Sequence, residues 1–447
     1  MQYYYQNAWV EDNGIREGRI EVYNENFFKT LDNLELVCKV VALDANYETA
    51  VTSGLDIRGI QPGQRRTIQS NELKETIAKT ISLYPNREIV VNFYFRTRQA
   101  EPLITKHQVM AKRQLTVQPF TYPSVESLLA KTVPAPTAKK GKKAKKTVVA
   151  LENKVEVVQT VAYISLEAAG TKVTVGKYSG LVDYLDINGE PMLKDRTSIT
   201  PEFWRAATDN DYGAGLQKKF DVWRNPEMKL QDVSLAEAGN GQKVTATFDM
   251  PSVKAKLIMS YTLTEKGQLI INQKMETTKD AKVADLLRYG VQMQMPRQYD
   301  RINYYGRGPI ENYVDRKASE FLGTYENSVA KEFFGYIRPQ ENGNHTDVRR
   351  FTVLDSKRKT GLNILATGDM ECSALNYLTE DLDDGPVKDK AWGRHSGDLQ
   401  ERPLTQVHIQ QRQFGLGCVN SWGAWPCKEY RMPYGDRDFT FIITPVE

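Results

Sequence analysis

Four segments of this chain concentrate residues able to do chemistry: FWRAATDNDYGAG (Phe203 to Gly215), YYGRGPIENYVDRK (Tyr304 to Lys317), RPQENGNHTDVRR (Arg338 to Arg350) and FGLGCVNSWGAWP (Phe414 to Pro426). His345, near Glu341 and Asp347, pairs an imidazole with carboxylates, the combination used to move protons near neutral pH; it also fits a polar loop with no such duty. Asp209, Asn210 and Asp211 read as an Asx-rich turn or as oxygen ligands for a cation. Their spacing is not that of a calcium-binding loop, which favours the turn. The Gly306 and Gly308 pair lacks the lysine and the following helix of a phosphate-binding loop, and the chain has no GxSxG elbow and no HExxH. Trp422 and Trp425 are flat apolar plates, each with one N–H, suited to plugging a core or to stacking on a sugar ring.

The elements that must position these segments read as strands. LELVCKVVAL and EIVVNFYFRT are rich in β-branched and aromatic residues, and Ile89, Val91, Phe93 and Phe95 alternate onto one face. The first 120 residues therefore read as an immunoglobulin-like β-sandwich of about 100 residues. Residues 121–150 form a Pro/Lys-rich linker or loop, with six lysines between Lys139 and Lys146 and no apolar residue to offset the entropy of ordering. Strand signals resume and fill residues 151–447, with hairpin turns at Asn188-Gly189 and Lys266-Gly267. No 40-residue repeat appears, so a large double sheet is expected rather than a propeller. Helical signal is confined to short stretches such as SEFLGTYENSVAKEFF (Ser319 to Phe334).

Composition closes several classes. Of 447 residues, 60 are Lys or Arg and 56 Asp or Glu, a formal charge of +4 that gives no general attraction to nucleic acid or to an anionic membrane. Cys38, Cys372, Cys418 and Cys427 are scattered without metal-ligand spacing, and unpaired thiols are favoured over a Cys418–Cys427 bridge. No apolar run approaches a membrane span, and the first residues do not read as a signal peptide.

The four segments, in this order, resemble the C-terminal third of the glycoside hydrolase family 2 β-galactosidases. They match its Arg-Ala-x-x-Asp-Asn-Asp motif at Arg205 to Asp211 and its Gly-x-Gly-Pro-x-Glu-Asn-Tyr-x-Asp-Arg motif at Gly306 to Arg316. Pro-x-Glu-Asn-Gly is matched at Pro339 to Gly343, and the terminal Gly-x-Gly-x-x-x-Ser-Trp at Gly415 to Trp422. The resemblance implies an all-β fold: an immunoglobulin-like module followed by the small-chain supersandwich, which is galactose mutarotase-like. It also implies a retaining glycosidase whose two catalytic glutamates, with magnesium and sodium sites, lie on a TIM barrel that precedes these modules. No alternating run of strands and helices here can build that barrel. The chain is therefore expected to be a noncatalytic C-terminal piece or separate subunit of a β-galactosidase that hydrolyses terminal β-D-galactosides such as lactose.

By the same resemblance, Trp422, with Asn420 and Ser421 beside it, forms the acceptor-side wall of the sugar pocket, and Trp425 packs internally. His345, Glu341, Asn342, Asp209, Asn210 and Asp211 sit in loops that either face that site or hold one another. The implied partners are a galactoside, the missing barrel and further copies of the intact enzyme, with neither nucleic acid nor membrane. The compartment is bacterial cytoplasm or periplasm. Two other readings stand beside this one. One is a stand-alone carbohydrate-binding module; the other is an aldose 1-epimerase using His345 and a nearby carboxylate, with His395 in a loop and His408 in a strand.

Overall fold

The computed structural model of the chain describes residues 2–130, 154–387, 395–417, 420 and 423–446. It divides into two compact units, Met1–Thr121 with Ala318–Thr324, and Tyr122–Lys317 with Tyr325–Glu447. A cut at residue 120 leaves the 318–324 segment out of the first unit. The lysine run lies outside the described residues.

In the first unit the chain forms β1 (Ala8–Asp12), β2 (Arg19–Asn24), β3 (Leu34–Ala42), β4 (Tyr47–Val51), β5 (Arg65–Gln69), α1 (Asn71–Leu83), β6 (Ile89–Thr97) and β7 (Val109–Gln118). Two sheets, β1-β2-β5 and β4-β3-β6-β7, make the sandwich. Ile89, Val91, Phe93 and Phe95 all point into its core with no exposure, as the period-2 alternation requires. Helix α1 was not expected from the strand pattern. It forms because Leu73, Ile77 and Thr80 recur at helical spacing and are buried, while the Ser70 hydroxyl accepts the Leu73 N–H at 3.1 Å as an N-cap. Ser70→Ala should cost about 1 kcal/mol of stability, read as a lower urea midpoint with an unchanged slope.

The second unit begins with α2 (Val125–Leu129) and a five-stranded meander, β8 (Glu156–Gln159), β9 (Tyr163–Ala168), β10 (Thr171–Gly176), β11 (Val182–Ile187) and β12 (Glu190–Pro191). Next come β13 (Thr200–Glu202), α3 (Asp209–Ala214), α4 (Leu216–Lys219), β14 (Lys229–Ala238), β15 (Gly241–Met250), β16 (Ala255–Thr264), β17 (Leu269–Thr277), β18 (Arg288–Pro296) and β19 (Arg301–Gly308). The chain then runs through β20 (Phe321–Ser328), β21 (Arg350–Leu354), β22 (Gly361–Ala366), β23 (Glu371–Leu375), α5 (Thr379–Leu382), β24 (Leu404–Gln413) and β25 (Arg437–Pro445). A four-stranded sheet has the order β13-β18-β24-β23, and a nine-stranded sheet the order β14-β15-β16-β17-β25-β22-β21-β19-β20. One apolar core joins them: Val291, Met293, Val407 and Ile409 from the smaller sheet meet the cluster that holds Leu257, Met259 and Tyr261 from the larger and Leu166 and Val173 from the meander.

The helix expected within Ser319 to Phe334 is instead β20, followed by a single 3-10 turn at Val329–Lys331. Gly323, Thr324 and Tyr325 are poor helix residues.

Candidate functional site

The four motif segments come from distant parts of the sequence, yet three of them meet at Phe414–Gly417, the residues that follow β24. Thr208 caps α3 through a reciprocal pair of bonds with Asp211, so the TDND stretch is a helix start rather than a free turn. Asp211 also binds Arg205, at 2.5 Å through Nη1, and both side chains are buried. The Arg205 guanidinium then reaches the carbonyl oxygens of Phe414 and Gly415, each at 3.4 Å from Nη2. Asn210 Nδ2 donates to the Leu416 carbonyl at 3.2 Å, and the Gly417 N–H donates to Asp315 Oδ2 at 2.6 Å. Gly423 has φ 91°, and a Cβ there would stand 2.9 Å from the Gly213 carbonyl, so the return of the loop past α3 requires glycine.

A second network lies behind that loop. Arg288, at the start of β18, is wholly buried and donates from Nη1 to Glu202 Oε1 at 2.7 Å and from Nη2 to Glu341 Oε1 at 2.5 Å. Nδ1 of His408 lies 2.7 Å from Glu202 Oε2 and 3.0 Å from Arg288 Nη1. Gln413, the residue before Phe414, donates to Glu341 Oε1 at 3.0 Å. Burial pushes the Glu202 carboxyl up, but the Arg288 and His408 charges outweigh it and hold the carboxyl below its ordinary value.

The third network fixes the two middle motifs to each other. Glu311 accepts from Arg316 Nη2 at 2.6 Å, from the Gly343 N–H at 2.6 Å and from the Tyr336 hydroxyl. Asn312 Oδ1 accepts the Thr346 N–H at 3.0 Å, and Asn344 Nδ2 donates to the Asn312 carbonyl and to Glu371 Oε2, each at 3.0 Å. Glu371 forms no ion pair among the described residues; burial pushes its carboxyl up to about 8, against the lowering effect of the Asn344 bond. Asp347 is the opposite case. Burial raises its carboxyl, but Lys317 and Arg307 outweigh it and hold the group below its ordinary value.

The sequence-derived residues therefore separate. Asn210, Asp211 and, through Gln413, Glu341 support the loop. Asp209 is exposed, with its carboxylate 3.8 Å from Arg338 Nε. Asn342 spends its amide on the backbone of Phe334, at 2.8 and 2.6 Å. His345 is wholly buried, with Nε2 2.6 Å from Glu332 Oε2 and its ring stacked 4.1 Å from that of Tyr304, which leaves no room for a sugar beside it. Asn420 is exposed. Ser421 and Trp422 lie outside the described residues. Trp425 is half-buried and packs edge-on to Phe220 at 5.4 Å, against the core. Cys38, Cys372 and Cys427 are free thiols, and Cys418 lies outside the described residues. Arg288 and Glu202 were not foreseen, although a lone arginine within Leu286-Leu287-Arg288-Tyr289 already demands a buried counter-ion.

Among the described residues no group of three or more His, Cys, Asp or Glu is placed to hold a metal ion, and no helix is long and apolar enough to cross a membrane. Comparison with known proteins matches residues 167–443 to the family described as β-galactosidase small chain and residues 20–118 to β-galactosidase domain 4. The β-galactosidase of Streptococcus thermophilus is 30% identical over 288 residues, 63% of this chain and 26% of that protein. That of Priestia megaterium is 28% identical over 282 residues, with the same coverage of 63% and 26%. That of Lactobacillus delbrueckii subsp. bulgaricus is 30% identical over 276 residues, 61% of this chain and 26% of that protein. This chain spans about a quarter of the length of these curated relatives. Among solved structures, galactose 1-epimerase from Lactobacillus acidophilus NCFM aligns with 66% of this chain and 99% of its own at 12% identity and a TM-score of 0.34.

Proposed function

The chain belongs to the β-galactosidase small-chain family, and from that premise we propose that it is a noncatalytic C-terminal portion of a family 2 β-galactosidase that builds the acceptor side of the sugar pocket. The observation that supports this most is the anchoring of Phe414–Gly417 by Arg205, Asn210 and Asp315. Those residues lead directly to Asn420, Ser421 and Trp422. A loop root held by side-chain hydrogen bonds is the kind of fixed base a binding segment needs. Trp422 stacks on the acceptor sugar, Asn420 and Ser421 supply polar contacts, and neither donates a proton to the scissile bond.

Proton transfer and nucleophilic attack belong to two glutamates of a barrel partner, spaced for retention. Magnesium and sodium belong to that barrel as well, and the substrate is a terminal β-D-galactoside such as lactose. The intact enzyme is a homo-oligomer of the bacterial cytoplasm or periplasm.

The test is hydrolysis of a chromogenic β-galactoside by this chain alone and after mixing with a separately expressed barrel fragment. No activity alone and activity on mixing are expected. In the mixture Trp422→Ala should weaken acceptor binding roughly tenfold, the worth of one aromatic contact. Robust hydrolysis by the chain alone would sink the proposal.

A further inference from the structure

Strand β8 ends the five-stranded meander, with β9 on one side and no strand among the described residues on the other. The Thr160 N–H donates to the Tyr163 carbonyl at 2.9 Å, and the register of the hairpin sets Val158 against Ser165 and Glu156 against Glu167. Hydrogen-bonded pairs alternate along an antiparallel ladder, so Thr160, Val158 and Glu156 spend their backbone groups on β9. Val155, Val157 and Gln159 turn theirs outward.

An edge of this kind is a template for another strand, and proteins usually blunt it. In this unit β12 is blunted by Pro191, β13 by Pro201, β14 by a bulge between Leu230 and Asp232, and β23 by burial of all its residues. Strand β8 has no proline, its register with β9 is unbroken, and all four of its residues are exposed. Two of them are apolar: Val157 is 37% exposed and Val158 54%. Val157 stands opposite Leu166, which has no exposure, so it continues the core-facing layer of the sheet into solvent.

The pattern of this edge matches itself. An antiparallel copy of β8, related by a two-fold axis through Val157, sets Val157 against its own copy and Val155 against Gln159 in both directions. Every outward N–H and C=O of the three residues then meets a partner, and the exposed core-side valines cover each other. The same register sets Glu156 opposite Val158 and Lys154 opposite Thr160, so no like charges stand directly opposite. An axis through Glu156 would instead place that carboxylate against its copy. We propose that two copies of this chain dimerise through β8, paired antiparallel with Val157 on the axis, so that their meanders join into one continuous sheet. The inference uses no residue of the Phe414–Gly417 loop and holds whether or not that loop serves a sugar pocket.

The test is sedimentation velocity on the full chain over a concentration series, where a monomer–dimer equilibrium is expected. Val157→Pro removes the outward N–H on the axis without taking a bond from β9. It should weaken dimerisation roughly thirtyfold, because the two-fold repeats the loss of one hydrogen bond in each copy. Tyr178→Ser, which removes an exposed ring from the turn between β10 and β11, should leave it unchanged. Hydrogen exchange on the unaltered chain is the second arm, and it decides if Val157→Pro does not fold: the amides of Val155, Val157 and Gln159 should exchange more slowly as the dimer fills. A monomer throughout the series, a dimer that folded Val157→Pro leaves intact, or a dimer without slowing at those three amides would each overturn the inference. The hydrolysis assay on mixing reads the loop and not this edge, so the two proposals fail separately.

Discussion

Replacing Arg288 with methionine should lower the unfolding free energy by about 3–5 kcal/mol, the usual result of stripping the partner from a buried charge. The Arg288 side chain is 1% exposed, and Glu202 and Glu341 are 6% and 5% exposed, so neither carboxylate can turn to water when the guanidinium goes. His408 remains beside Glu202, but Glu341 keeps only the neutral amide of Gln413. Methionine fills much of the arginine's volume, so the loss is electrostatic rather than a cavity. Thermal unfolding at neutral pH is the measurement, with a fall of roughly 5–7 °C expected for a unit of this size. A change under about 1 kcal/mol, the level of an ordinary surface pair, would show that the triad is not the closed network described. Glu341→Gln should cost less, because an amide oxygen still accepts from Arg288.

The second large effect has the opposite sign and depends on pH. Glu371 titrates near 8 in the folded chain, raised by burial, and near the ordinary carboxylate value when unfolded. Between those two values the folded state holds one proton more than the unfolded state, so stability falls as pH rises. The favourable term is complete below the unfolded value and lost once pH passes about 8. Glu371→Gln keeps an oxygen for the Asn344 amide and removes the ionisation. The variant should match the parent near pH 4.5 and exceed it increasingly up to pH 8, by a few kcal/mol at about 1.4 per pH unit. Urea unfolding at a series of pH values measures this, and parallel curves for parent and variant would refute it.

Much of the architecture was legible in the sequence. Ile89 to Phe95 alternated cleanly, and the turns at Asn188 and Lys266 were marked by glycine. Those are local signals, carried by side-chain period and by residues that tolerate φ > 0. Helix α1 was equally local and could have been read from Ser70, Leu73 and Ile77. The stretch from Ser319 to Phe334 gives a mixed signal, because apolar spacing that suits a helix is crossed by Gly323, Thr324 and Tyr325, which do not favour one. The site divides in the same way. The motif residues were visible, and their resemblance to a family gave them an order, but their partners were not. That Asn210 would meet Leu416 and Asp315 would meet Gly417, about 200 and 100 positions away, is set by the sheet order. His345 shows the converse: carboxylates close in sequence gave it a catalytic look, while its actual partner, Glu332, ties it into the interior.

Strand β25 lies in the middle of the nine-stranded sheet, hydrogen-bonded to β17 on one side and β22 on the other. During synthesis both neighbours leave the ribosome before Arg437 is made. Until β25 emerges, β14–β17 and the strands from β19 to β22 are separate half-sheets, each with an unpaired edge whose free backbone groups can capture another chain. Closure of this sheet is thus a late event for a nascent polypeptide, and the interval before it is when the protein has most need of a chaperone.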